Sequence, residues 1–94
     1  MHFVMICVDK PGHAQVRAAN RAAHLDHLGR HAGNVVMAGP TLGDDGAAMT
    51  GSVLIVEFPD RAAVEAFAAA DPYAQAGLFE SVAIRAWKKV IPAG

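Results

Sequence analysis

Basic and histidine side chains share one strip of the first predicted helix. The strip holds residues at spacings of four, three and four: Arg17, Arg21, His24 and Leu28. These spacings place the strip along the edge of the helix's apolar face. One interpretation is that the arginines pack their aliphatic stems and keep their charges in water. The other makes Arg21 and His24 the wall of a small pocket that favours anions, with His24 as a general acid or base.

The second predicted helix carries a carboxylate where its pattern calls for an apolar residue. Its inward stripe consists of Val64, Phe67, Ala68 and Asp71. A carboxylate that points inward needs a partner. Asp71 can cap the short helix predicted to begin at Pro72. Its second oxygen can also hold an imidazole, which would fix the tautomer of that ring and raise its basicity.

Three histidines fall within one arc of the first helix, at His24, His27 and His31. This spacing can present three imidazoles to a metal ion. However, no Asp or Glu lies on the arc, and His31 suits the helix C-terminus as a cation. We therefore expect neither a metal nor another cofactor.

Composition limits the classes of protein that this chain can represent. It has 94 residues, 53% of them apolar and 18% charged, with a net charge of −1. One domain over residues 1–94 is expected, without a nucleic-acid or membrane partner. Cys7, the single cysteine, excludes an intrachain disulfide and is expected to be a buried, inert thiol. The apolar run around it is too short for a signal peptide or membrane span, so we expect a cytoplasmic location.

Periodicity and turn residues predict the order βαββαβ. The expected strands are residues 2–8, 35–38, 53–58 and 81–90, and the expected helices are 14–32, 62–70 and a short one at 72–79. The first helix should bury a stripe made of Ala18, Ala22, Leu25, Leu28 and Ala32. Gly39-Pro40 should close the second strand, and residues 41–50 should form a mobile surface loop.

This order predicts an α+β, ferredoxin-like sandwich in which one four-stranded antiparallel sheet carries the helices on one face. The first and third strands are apolar on both sides. A monomer would therefore expose a large apolar area on the open face of the sheet. We expect a homodimer that buries this face.

Motifs spread along nearly the whole chain resemble the YciI-like family. They are Arg21-x-x-His24-Leu25, Met37-Ala38-Gly39-Pro40, Thr50-Gly51-Ser52, Asp71-Pro72-Tyr73-x-x-Ala76-Gly77 and Trp87-Lys88-Lys89-Val90, after an apolar first strand and an acidic turn. The resemblance implies a dimeric, ferredoxin-like α+β fold and an active site built on a His–Asp pair. Carried over to this sequence, that pair is His24 and Asp71. Dehydrochlorinase chemistry on an aromatic compound is one activity that the resemblance implies.

Two functions of different classes remain open, beside a purely structural accessory subunit. The first is a cofactor-independent lyase or isomerase acting on a small phenolic, quinoid or anionic molecule, with His24 moving a proton and Asp71 orienting it. The second is a non-catalytic domain that binds or senses a small ligand. The residues expected to contact that molecule are Arg21, Gly39, Pro40, Ser52 and Tyr73, with Arg21 and nearby backbone N–H groups holding an oxyanion.

Overall fold

Seven elements follow one another along residues 1–93, the part of the chain that the computed structural model describes. They are β1 (His2–Asp9), α1 (Ala14–Arg30), β2 (Val35–Leu42), β3 (Met49–Glu57), α2 (Arg61–Ala70), α3 (Pro72–Gln75) and β4 (Phe79–Trp87). The strands form one antiparallel sheet in the order β2-β3-β1-β4. The predicted α+β, ferredoxin-like fold is confirmed.

Alternation along β1 divides the sheet into a covered face and an open face. Phe3, Met5 and Cys7 are at most 2% exposed and belong to the hydrophobic core. Ile6 and Val8, on either side of Cys7, point to the opposite face and are 41% and 43% exposed. Because successive side chains of a strand point to opposite faces, the helices cover only one side of the sheet.

The inward side of α1 is polar, so the apolar stripe predicted for this helix is wrong. Its buried residues are Arg17, His24 and His27. Of the predicted stripe, Leu28 is partly covered and the exposed members are Ala18, Ala22, Leu25 and, just beyond the helix, Ala32. Buried polar groups are tolerated when they are hydrogen-bonded, and each of the three buried side chains has a partner.

The second strand continues through Gly39-Pro40, which corrects the prediction that these residues end it. Pro40 pairs with Ser52 and Thr41 with Gly51, and the loop shrinks to residues 43–48. Proline is compatible with this strand because β2 is at the edge of the sheet. On the outer side of an edge strand there is no neighbouring strand to accept a hydrogen bond from the missing N–H.

Other predicted boundaries also shift at the ends of elements. The first helix ends at Arg30 rather than at residue 32, and β4 runs from Phe79 to Trp87 rather than over 81–90. The short third helix stops at Gln75, and the chain then turns at Gly77, whose φ is +75°. Among residues 1–93, no helix is both long and apolar enough to cross a bilayer. The cytoplasmic location stays a prediction.

Candidate active site

A buried hydrogen bond joins His24 of α1 to Asp71, the residue between α2 and α3. His24 Nδ1 lies 2.9 Å from Asp71 Oδ1 and 3.0 Å from Oδ2. The two residues are 7% and 3% exposed. A carboxylate at Nδ1 accepts the Nδ1 proton and leaves the lone pair of a neutral ring on Nε2. The arrangement is therefore that of a histidine prepared to take a proton at Nε2.

Asp71 also caps α3, as the sequence predicts. Its Oδ1 accepts a hydrogen bond from the backbone N–H of Tyr73 at 2.9 Å. Pro72 occupies the first turn of this helix, where the absence of an N–H costs nothing. The same carboxylate thus starts α3 and orients His24, so both predicted uses of Asp71 occur together.

Tyr73 lies between His24 and Arg17 and is 1% exposed. Its ring stacks on the imidazole of His24 with centroids 4.0 Å apart, and the guanidinium carbon of Arg17 is 4.7 Å from the centroid of the tyrosine ring. Burial raises the pKa of Tyr73, although the positive charge of Arg17 opposes this shift. Tyr73 is accordingly a neutral ring that fixes the plane of His24.

Arg17 forms a buried ion pair with Asp9, the last residue of β1. Its Nε and Nη2 donate to the two carboxylate oxygens at 2.8 and 2.9 Å, and Nη2 also lies 2.9 Å from the carbonyl oxygen of Gly51 and 3.1 Å from Ser52 Oγ. Burial opposes the charge of Arg17, but the hydrogen bonds and charge of Asp9 outweigh it, so the pKa of Arg17 is raised. This two-point pairing fixes α1 against the sheet.

These side chains surround a cavity of about 230 Å³ between α1 and the sheet, which we call the site cavity. Six of the seven residues predicted from the sequence line it, namely Arg21, His24, Gly39, Pro40, Ser52 and Tyr73. Asp71 is the exception: it does not line the cavity but hydrogen-bonds to His24, which does. The remaining walls are Arg17, Leu25, Leu28, Ala38, Met49 and Leu54. The roles assigned to the six residues stay predictions, but their placement around one space is a feature of the fold.

The Nε2 atom of His24 has no hydrogen-bond partner among residues 1–93. In that same range, every fully buried side-chain nitrogen and oxygen has a partner, so Nε2 retains accessible surface where His24 lines the site cavity. Arg21 is exposed and makes no hydrogen bond or ion pair with the described residues. A proton acceptor and an unpaired cation therefore line the same small space.

The other two histidines of the predicted arc form hydrogen bonds to backbone carbonyl groups. His27 is 2% exposed and donates from Nε2 to the carbonyl oxygen of Phe67 at 3.1 Å. His31 Nδ1 lies 3.0 Å from the carbonyl oxygen of His27. Among residues 1–93, no group of three or more His, Cys, Asp or Glu side chains is placed to hold a metal ion. Burial lowers the pKa of His27.

Cys7 is buried below the same network. Burial, followed by the negative charges of Asp71 and Asp9, raises the pKa of its thiol to about 12. Nucleophilic reactivity of a cysteine depends on its thiolate. The expected inert thiol therefore agrees with its surroundings.

The sequence alone did not predict that Arg17 is buried or that Asp9 forms an ion pair with it. The interpretation that Arg17 keeps its charge in water is wrong, because this residue is 6% exposed. Two signals were present: an acidic residue ends an apolar strand, and Arg17 lies on the inward edge of the following helix. An ion pair between them follows only once β1 and α1 are placed side by side.

Fold and site together define a ferredoxin-like α+β protein with a His–Asp pair at a small cavity. The chain belongs to the family described as the YCII-related domain, whose model matches residues 1–88. It is 39% identical to Protein YciI of Escherichia coli over 96% of this chain and 99% of that protein. An uncharacterized protein of Haemophilus influenzae is 35% identical over the same shares.

Solved structures give the same grouping. A 5-chloro-2-hydroxyhydroquinone dehydrochlorinase of Burkholderia phenoliruptrix, in complex with 2,5-dihydroxybenzoquinone, is 40% identical with a TM-score of 0.87, over 94% of each chain. An antibiotic biosynthesis monooxygenase aligns with a TM-score of 0.57 at 14% identity, over 95% of this chain and 97% of that one. The second likeness concerns the fold alone.

Proposed function

We propose that this chain is a cofactor-independent lyase of the dehydrochlorinase type, acting on a small phenolic or quinoid ring. One observation carries the proposal: His24 lines the site cavity with its Nδ1 held by the buried carboxylate of Asp71 and its Nε2 without a hydrogen-bond partner among residues 1–93. Similarity to the Burkholderia dehydrochlorinase supports the reaction class, because that similarity spans 94% of this chain at 40% identity.

The reaction needs only proton transfers and the departure of chloride. In a chlorinated hydroxyhydroquinone, His24 Nε2 takes the proton of the ring hydroxyl beside the C–Cl carbon and returns a proton to that carbon. The electron pair of the broken O–H bond forms a ketone. The hydroxyl on the opposite side of the ring then loses its proton, and its electrons restore the conjugation as the C–Cl bond breaks. The products are a hydroxyquinone, chloride and a proton, so the balance requires no outside oxidant.

Negative charge on the ring oxygen is the intermediate that this site must stabilise. Arg21 supplies an unpaired positive charge at the cavity wall. Ser52 Oγ accepts a hydrogen bond from Arg17, so its own proton is available to a second oxygen. We assign the oxyanion to Arg21 and Ser52, since donors fixed before the reaction stabilise developing charge best. Gly39 and Pro40 shape the wall opposite α1.

The test is chloride release from 5-chloro-2-hydroxyhydroquinone by the purified protein and by a His24→Gln variant. Loss of a positioned acid or base should slow turnover by roughly 10²- to 10⁴-fold. His31→Gln is the matched control, because His31 lies just after α1 but does not line the site cavity. It should turn over the substrate at the normal rate.

The same experiment separates the enzyme from a binding or sensing domain. A binding domain would bind the ring without releasing chloride, and His24→Gln would change its affinity alone. Binding without turnover would contradict the proposed reaction and favour that alternative.

We also propose that two copies pair through the open face of the sheet. Its apolar side chains include Ile6, Val8 and Met37, which are 41%, 43% and 61% exposed. Val53 and Ile55 continue this surface on β3. A contiguous apolar face on a small protein is typical of an interface.

A further inference from the structure

A second cavity of about 320 Å³ adjoins the site cavity, and we call it the side cavity. The two cavities share Arg17, Arg21 and Met49 as walls. The rest of the side cavity is lined by Ala14, Ala18 and Ala47. A molecule placed against His24 therefore has a neighbouring space beside it, and the two arginines lie at the boundary between the two cavities.

The junction between the cavities is cationic. Arg17 uses Nε and Nη2 for Asp9, Gly51 and Ser52, and its guanidinium also interacts with the Tyr73 side chain. Arg21 forms no ion pair within the described part of the chain. Because Asp9 neutralises Arg17, Arg21 gives the junction a net positive charge. An oxygen carrying negative charge is the group that fits there.

Beyond the junction the side cavity is apolar and built from small side chains. Ala14 and Ala18 are four residues apart and share one face of α1. Ala47 and Met49 face them from the end of the loop between β2 and β3. Methyl and thioether groups offer no hydrogen bond, so the part of a ligand that reaches this space should be hydrocarbon.

We propose that the side cavity is a second ligand compartment and that the substrate is an acidic hydroxyquinoid ring bearing an apolar substituent. The ring lies against His24, its ionised oxygen lies at Arg21 where the two cavities meet, and the substituent extends along Ala14 and Ala18. This inference rests on the proposed function for the position of the ring. It adds to that function a class of substrates, namely hydroxyquinoid rings that carry an apolar substituent.

The experiment measures dissociation constants by calorimetry for 2,5-dihydroxybenzoquinone and its 3-methyl, 3-propyl and 3-pentyl derivatives. Each methylene that becomes buried should tighten binding by up to about fourfold, the equivalent of ~0.8 kcal/mol. The propyl compound is expected to bind about tenfold more tightly than the parent, which lies within the upper limit set by three buried carbons. Ala18→Leu should remove this gain and leave the affinity of the parent within about twofold, since leucine fills the side cavity alone.

Ala19→Leu is the matched control, because Ala19 is also exposed on α1 but lines neither cavity. It should keep the full gain. Equal affinities across the series, or a gain that survives in Ala18→Leu, would overturn the inference even if the parent is turned over. Tighter binding of the derivatives without chloride release from the chlorinated ring would refute only the proposed reaction. Absence of binding by all four compounds would refute both.

Discussion

Asp71 sets which nitrogen of His24 carries the proton. In an Asp71→Asn variant, the side-chain oxygen can still accept from the Tyr73 N–H, and the amide N–H₂ would donate to His24 Nδ1. The proton of the neutral ring would then move to Nε2, and the base would be lost. We expect kcat/KM to fall by roughly 10²- to 10⁴-fold while stability changes little. Chloride release and urea unfolding measure the two effects.

Asp71→Ala separates the effect of Asp71 on the start of α3 from its effect on the tautomer of His24. It should lose the same activity and, in addition, about 1 kcal/mol of stability from the missing cap of α3. Full turnover by the asparagine variant would show that the proton does not pass through Nε2.

His27 should make the protein less stable below neutral pH. Its pKa is lowered in the folded state because burial disfavours the charged ring, although the hydrogen bond to Phe67 opposes this. As pH falls below about 6.5, the unfolded chain takes up a proton before the folded protein does. Stability is therefore present above that pH and is lost below it, by at most about 1.4 kcal/mol per pH unit.

The check is the free energy of unfolding between about pH 7.5 and pH 5 in the native protein and in His27→Gln. Glutamine keeps a donor for the Phe67 carbonyl but does not titrate, so the slope against pH should become shallower. An unchanged slope would mean that another group causes the pH dependence.

At the level of residues, the sequence predicts the pair of His24 and Asp71 but not the neighbouring ion pair of Asp9 and Arg17. Asp71 interrupts an apolar stripe, which indicates an inward carboxylate in need of a partner, and the family resemblance implies that the partner is His24. Asp9 and Arg17 give only weak signals, because an aspartate at a strand end and an arginine at the edge of a helix face are also common on protein surfaces. Their pairing depends on how β1 and α1 pack, which no local pattern contains.

At the scale of the elements, β1 and β3 leave no room for a side chain at Gly51. A Cβ atom added there would lie 2.1 Å from the carbonyl oxygen of Cys7 and 2.9 Å from Thr41 Oγ1. Gly51→Ala must therefore push the strands apart, and we expect a loss of roughly 1–3 kcal/mol in unfolding free energy.

Gly39→Ala provides the matched strand control, because a Cβ atom at Gly39 would meet nothing within 4 Å. Both variants are compared by urea unfolding. Similar stabilities of the two variants would contradict the close approach at Gly51.

Elements were predictable where their patterns are strong. The buried Val64 and Phe67 of α2 confirm its predicted stripe, and the Asp60 carboxylate caps that helix through the N–H of Ala63. The β2 boundary was missed because Gly39-Pro40 indicates a turn in isolation. Only the position of β2 at the sheet edge makes the continued strand possible, and edge position is a property of the whole sheet.

At the scale of the whole molecule, burial of the open face predicts a homodimer. A standard interface buries about 1,600 Å² in total, and sedimentation at micromolar concentration should give twice the 9.8 kDa mass of one chain. Ile6→Lys should shift the protein toward monomer, since a charge in the centre of an apolar interface is costly.

Val90→Lys is the control for added charge, because Val90 is 66% exposed and lies outside the sheet. It should remain dimeric. A native protein that sediments at the mass of one chain would contradict the proposed pairing.

The double use of Asp71 has an evolutionary consequence. A carboxylate that both begins a helix and holds a buried imidazole is under selection for folding as well as for any reaction that depends on it. Descendants that change substrate would inherit the His24–Asp71 pair unaltered. Arg21 and Ala18 have no comparable role in stabilising the fold. Substitutions that change substrate specificity should therefore occur first at these two positions.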